Sequence, residues 1–254
     1  MSEAQQEKTI EETITIKKET LWKYSTFILA GILIVGGFFV FTNGGTSTGA
    51  VIAADNPAPS APTPSQIKVS IDDDAIYGDK DAPVTLIEFS DYQCPFCRKF
   101  WQDTLPSIKK DYIDTGKVKL VFRDFPLGFH QSAIPAAEAA NCAREKGGDE
   151  AYYKMHDKLF QEQNILDGGS VSSTVQFTAT DMKKWAKDIG YDIDSCLDSG
   201  KYKDEIQKDL RDGTAAGITG TPGFIILDKD NKATSISGAQ PSTVFDSALK
   251  AAGA

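Results

Sequence analysis

The chain reads as an α/β protein: strands at both ends of its folded part, helices in the middle, and an apolar segment ahead of them. Three observations carry this. Runs rich in β-formers, "APVTLIEFS" (82–90) and "KVKLVFRDF" (117–125), open the folded part, and "PGFIILDKD" (222–230) and "KATSISG" (232–238) stand near its end. Residues 131–216 between them show helical spacing. A pair of cysteines two residues apart, Cys94 and Cys97, sits where the first long strand gives way to a helix.

Bulk properties narrow the classes. The 254 residues carry a net charge of −9 and show no basic stripe, which argues against a nucleic-acid partner. Charged (25 %) and hydrophobic (41 %) fractions are those of a globular protein. The four cysteines, Cys94, Cys97, Cys142 and Cys196, allow two disulfides, provided that the compartment is oxidising.

The N-terminus speaks to the compartment. Residues 27–41, "FILAGILIVGGFFVF", are unbroken apolar sequence, and 25–42 is an uncharged stretch close to the ~20 residues of a spanning helix. Trp22 and Tyr24 flank it where an aromatic belt would lie. Lys17, Lys18 and Lys23 are on the same side, and no charge follows until Asp55. The reading is a cytoplasmic tail (1–24), a single transmembrane anchor (25–42) and an exported remainder. A cleaved signal peptide is the alternative, but the tail is long and Glu-rich, and Val51-Ile52-Ala53 lies far from the apolar run. Residues 43–65, glycine-rich early and proline-rich late, read as a flexible linker. The folded domain follows at 66–254.

Within it, "QIKVSI" (66–71) is expected to form a short first strand, and 82–90 a buried one. From Pro95 the spacing of Phe96, Phe100, Trp101, Leu105 and Ile108 predicts a helix with an apolar, core-facing side, kinked at Pro106. After the strand at 117–125 come "SAIPAAEAANCAREK", "AYYKMHDKLFQEQ", "TATDMKKWAKDIG" and "YKDEIQKDLRDGTAAG", all helical in spacing, the last stopping at Gly217. Two strands and a helix, "PSTVFDSALKAAG", close the chain.

Three features turn the cysteine pair towards redox chemistry. Pro95 at the first helical position makes Cys94 the N-cap, facing free backbone N–H groups and the positive end of the helix dipole. Both lower a thiol pKa and create a nucleophile. Cys97 lies one turn on and can close a disulfide with it. "GITGTPGFII" (217–226) puts Thr221-Pro222 between glycines before an apolar strand, a candidate cis-proline loop. There the Thr221 backbone could pair with an extended substrate. Glu88, six residues before Cys94, stands among apolar neighbours. It is either a buried carboxyl that relays protons with Cys97 or an edge-strand charge facing water.

With these in place the chain resembles the DsbA-like thiol:disulfide oxidoreductases of the thioredoxin superfamily. The resemblance rests on "GDKDAPVTLIEFSDYQCPFCRKF" (78–100), "VKLVFRDFPLGFHQSAIPAAEAANCA" (118–143), "GITGTPGFII" (217–226) and "ISGAQPSTVFDSAL" (236–249), and covers about 75–254. It implies a thioredoxin fold with a helical insertion at about 127–210. By position it makes Cys94 the attacking cysteine, Cys97 the resolving one, Glu88 the buried acid and Pro222 the cis-proline. Pro95, Phe96, Thr221 and Pro222 would face the substrate. Phe96 stands where strong oxidases of the family have His, and Thr221 also occurs in isomerases.

A zinc site needs four ligands, and neither His130 nor His156 has ligand spacing; His130 reads as a capping or packing residue. No metal or cofactor is expected. Cys142 and Cys196 both fall inside the implied insertion and read as a structural disulfide. The expected protein is a monomeric, membrane-anchored dithiol oxidase. Its partners would be reduced exported polypeptides and a membrane protein that reoxidises Cys94–Cys97. An isomerase or reductase, or a non-catalytic peptide-binding chaperone, are the alternatives.

Overall fold

The computed structural model describes residues 69–254. The predicted tail (1–24), anchor (25–42) and linker (43–65) lie outside the described residues. Among those described, no helix is long and apolar enough to cross a membrane.

A five-stranded mixed sheet organises the domain. Its strands are β1 (Ile76–Tyr77), β2 (Val84–Ser90), β3 (Val118–Asp124), β4 (Gly223–Leu227) and β5 (Ala233–Ser237), in the order β1-β3-β2-β4-β5. β2 and β3 are parallel; every other pairing is antiparallel. All seven residues of β2 are buried, as expected of a central strand covered on both faces. The alternation of side chains sorts them. Val84 and Leu86 join Leu120, Phe122, Phe224 and Ile226 in one core cluster, while Ile87 and Phe89 join Val121, Ile225 and Leu227 in the other.

The strand expected at 66–71 is not found: its described part, Val69–Ile71, pairs with no strand. Three consecutive aspartates follow it. The chain turns there, with Asp72 at φ +47 and the Asp74 N–H donating to the Ile71 carbonyl. The first strand is β1 instead, and Val69 and Ile71 pack on the second core cluster from outside the sheet.

Helix α1 (Pro95–Asp103) covers the first cluster. Its apolar side is only partly core: Phe100 is fully buried against Phe224 and Phe245, Trp101 is half-buried on Phe160, and Phe96 is exposed. The break comes at Thr104, two residues ahead of Pro106, whose missing N–H and ring cannot continue the ladder. A single turn, α2 (Leu105–Ile108), and a wider π-helical turn (Lys109–Ile113) lead to β3.

Between β3 and β4 lie α3 (Ala133–Leu166), α4 (Ala179–Asp188), α5 (Asp194–Ser199) and α6 (Lys203–Ala215). α3 is two helices joined across non-helical Gly147 and Gly148. α4 begins with a capping box between Thr178 and Asp181. α6 covers the second cluster. At Gly213 a β-carbon would come within 2.7 Å of Phe89, so glycine permits the helix to sit this close to the sheet. Gly217, at φ +89, ends the helix by donating its N–H to the Thr214 carbonyl. Helix α7 (Ser242–Ala251) returns to the first cluster through Phe245 and Leu249.

The structure joins Cys142 of α3 to Cys196 of α5 in a disulfide with Cα atoms 5.8 Å apart. Closing a loop across a separation of 54 residues restricts the unfolded chain. In the chain-entropy model that stabilises the fold by about 4 kcal/mol.

Candidate active site

β2 delivers the chain to Cys94 through a turn in which the Cys94 N–H bonds the Asp91 carbonyl at 3.0 Å. Cys94 has extended backbone angles, caps α1 and is followed by Pro95 at the start of the helix; its carbonyl accepts the Arg98 N–H at 3.2 Å. Both thiols are free and buried, Cys94 with 3 % exposure and Cys97 with none.

The two sulfurs differ electrostatically. The Cys97 thiol hydrogen-bonds the Cys94 sulfur and, against the opposing effect of burial, holds Cys94 down to about 6. The Thr221 side chain and the backbone N–H groups of Cys97 and Phe96 act in the same direction. Cys97 is pushed well above the ordinary thiol range, first by burial, then by Cys94, Glu88 and Asp91. Its sulfur accepts the Asp91 backbone N–H at 3.4 Å.

The loop before β4 completes the site. The Thr221–Pro222 peptide bond is cis, and the Cys94 thiol donates to the Thr221 carbonyl at 3.5 Å. The Thr221 hydroxyl is buried with no partner and is free to serve a thiolate. Pro222 is buried, Pro95 half-buried and Phe96 59 % exposed, so the tip between the cysteines offers a bare aromatic ring.

Glu88 is not an edge charge. It lies on the central strand, paired with Phe122 and Phe224, and the alternation along β2 turns it to the face that carries Cys97 and Phe100. Burial, its largest influence, outweighs the neighbouring Ser90 hydroxyl and raises Glu88 to about 8. One carboxyl oxygen is buried without a partner, and burial favours the neutral form of Glu88.

Sequence reasoning missed the residues that hold this geometry. The Asp91 carboxylate accepts the backbone N–H groups of Gln93 and Leu127, each at 2.7 Å, and lies 2.8 Å from His130 Nδ1. Gln93 reaches the N-terminus of α3 by accepting the Ser132 N–H at 2.7 Å. Arg98, buried directly after Cys97, donates to the carbonyls of Gln163 and Ser173 and pairs with Asp167, tying α1 to the end of α3. The available signals were the polar residues flanking the Cys-x-x-Cys and the His130 that follows "FPLGF".

The arrangement agrees with known proteins. Residues 70–243 match the family model described as thioredoxin. Disulfide bond formation protein D of Bacillus subtilis is 30 % identical over 165 residues, 63 % of this chain and 70 % of that one. The solved structure of oxidised BdbD from Bacillus subtilis superposes with a TM-score of 0.61 at 26 % identity, covering 72 % of this chain and 94 % of that one. α-DsbA1 of Wolbachia pipientis gives a TM-score of 0.60 at 25 % identity, covering 74 % and 95 %. A cysteine pair with one depressed and one raised thiol, set in a fold these proteins share, places the chain in the thioredoxin family, on its DsbA-like branch, as a thiol:disulfide oxidoreductase.

Proposed function

We propose that this oxidoreductase works outside the cytoplasm as a dithiol oxidase, using Cys94 and Cys97 to introduce disulfides into exported polypeptides. The observation that carries this reading is the opposition between the two thiols. A depressed Cys94 stabilises the reduced enzyme, and a stabilised reduced form makes the disulfide an oxidant.

In the forward reaction a substrate thiolate attacks Cys94 Sγ. The Cys94–Cys97 bond breaks, and Cys97 leaves with the electron pair and takes a proton, for which Glu88 is the nearby acid. The mixed disulfide is held with the Thr221 backbone beside it, where an extended substrate can pair. A second substrate thiolate then attacks the substrate's own sulfur, and Cys94 departs as a stable thiolate. Two electrons pass from the substrate dithiol to the enzyme disulfide, leaving an oxidised product and a reduced enzyme. A membrane redox partner would reoxidise the pair.

The exported location is supported by the Cys142–Cys196 disulfide, which is at home in an oxidising compartment, and by the apolar run at 25–42 with its lysine-flanked side. In this reading 1–24 is cytoplasmic, 25–42 anchors the chain and 43–65 tethers the catalytic domain. The relative's name, disulfide bond formation protein D, supports the direction of the reaction.

The test is refolding of reduced ribonuclease set beside reduction of insulin, with the potential fixed by equilibration against glutathione. The expected result is efficient ribonuclease oxidation, weak insulin reduction and a potential between about −120 and −270 mV. Strong insulin reduction with a potential at or below the thioredoxin value would make the protein a reductase.

A further inference from the structure

Phe96 occupies the position between the cysteines where a cation could support the Cys94 thiolate, and phenylalanine has no charge to offer. We propose that the His130–Asp91 pair supplies that support from outside the Cys-Pro-Phe-Cys turn: His130 is a positioning residue whose positive charge cancels the buried Asp91 carboxylate and so favours the thiolate of Cys94. The proposal rests on the reading of Cys94 as the nucleophile.

The geometry joins the imidazole to both sulfurs through one residue. His130 Nδ1 lies 2.8 Å from Asp91 Oδ2, with the two side chains 4 % and 0 % exposed. Through its backbone, Asp91 bonds the Cys94 N–H with its carbonyl and the Cys97 sulfur with its N–H. The carboxylate receives three donors: two backbone N–H groups and the imidazole. It is thus built into the site as a buried, fully donor-bound carboxylate, and it opposes ionisation of Cys97. A neutral His130 would leave that charge uncompensated, whereas an imidazolium removes it. Asp91 draws His130 above the ordinary imidazole value, with burial opposing and the Cys94 thiolate assisting. The Phe129 ring packs on His130 edge-to-face at 4.5 Å. The charged or titratable groups around Cys94 and His130 are Asp91, Cys97, Glu88 and Arg98, with the polar Thr221 side chain beside them. Arg98 is already engaged by Asp167 and two carbonyls, which leaves His130 as the cation in this set whose charge a change of pH can switch.

The pH dependence follows. His130 is charged below its raised pKa, so its support for the thiolate is present in the acid-to-neutral range and fades as the pH rises through that value.

The experiment compares wild type, His130→Gln and His130→Ala by thiolate absorbance against pH, by equilibration with glutathione and by thermal melting. Glutamine keeps a neutral donor for Asp91 and loses the charge. The expected result in His130→Gln is a Cys94 pKa about one unit higher and a glutathione equilibrium about tenfold less oxidising, with little change in melting. Wild-type titration and equilibrium in His130→Gln would overturn the proposal, whether or not His130→Ala folds, by reducing the pair to a neutral clamp. Cys94→Ala separates the two layers. Its low-pH titration wave should vanish, and a wave that persists would remove the underlying reading of Cys94 and the proposal with it.

Discussion

In the Cys97→Ala protein, substrate thiols are expected to remain bound to Cys94 as mixed disulfides, and turnover should fall to the uncatalysed level. Cys94 is the thiol held at about 6 at the start of α1, and Cys97 is the wholly buried one pushed upward. Removing Cys97 leaves Cys94 able to join a substrate through an activated disulfide and takes away the thiol that would expel the substrate by reforming the Cys94–Cys97 bond, so adducts with a substrate that has no second thiol in reach persist. Cys94→Ala should also abolish turnover, yet trap nothing, because Cys97 is neither ionised nor reachable. Non-reducing electrophoresis with mass spectrometry of the adducts reads both results. Equal trapping by the two variants would reverse or erase the assignment of roles.

The largest effect on stability is expected at Arg123, far from any sulfur. Its guanidinium is fully buried on β3. Nε lies 2.9 Å from carboxylate oxygens of Asp209 and Asp74, and Nη2 2.9 Å from Asp212. Nη1 donates to the Ser70 carbonyl, and the group lies over the Phe89 ring. Asp209 in turn accepts the Asp124 backbone N–H at 3.0 Å, so one cation holds α6, the first turn of the domain and the end of β3 together. Arg123→Met leaves the buried Asp209 carboxylate without its cation and strips the partner from the partly exposed Asp74 and Asp212. The expected cost is about 3–5 kcal/mol, a fall in melting temperature on the order of 10 °C for a domain of this size. The pH dependence has a definite sign. Asp74 is already raised to about 8 by burial and by Asp209, with Arg123 opposing. A carboxyl raised in the folded state favours folding when protonated, and that contribution is lost as the pH climbs through its folded pKa. The variant should therefore be least impaired near pH 5 and lose further stability towards pH 8. A melting temperature within two degrees of wild type would show that the cluster does not depend on Arg123.

What could be read from the sequence was what local chemistry imposes. β2 and β3 are visible as apolar β-forming runs because both are buried on two faces. The start of α1 is visible because Pro95 tolerates only the first turn of a helix. Thr221-Pro222 stands out between its glycines. The errors lie where tertiary context decides. Residues 66–71 have strand composition, but the aspartates at 72–74 turn the chain before it can pair. Helical spacing put Phe96 on the core-facing side of α1 while the resemblance turned it to the substrate; it is exposed, because it occupies the tip between the cysteines rather than the face over β4. The Asp91–His130 pair was out of reach for a different reason. The two residues are 39 apart and follow β2 and β3, and they meet because those strands run parallel in register from Val84 with Val118 to Ser90 with Asp124. Nothing in the spacing of a single loop encodes that register, so His130 read as a packing histidine.

The central claim is that Cys94 is the working nucleophile and Cys97 its suppressed partner. The most direct measurement is alkylation of the fully reduced protein with iodoacetamide from pH 4 to 10, with each cysteine quantified by peptide mass spectrometry. The account predicts that Cys94 becomes labelled with a midpoint near 6, while Cys97 stays unlabelled well beyond the ordinary thiol value of about 8.5. Labelling of Cys97 ahead of Cys94, or of both together near the ordinary thiol value, would contradict it.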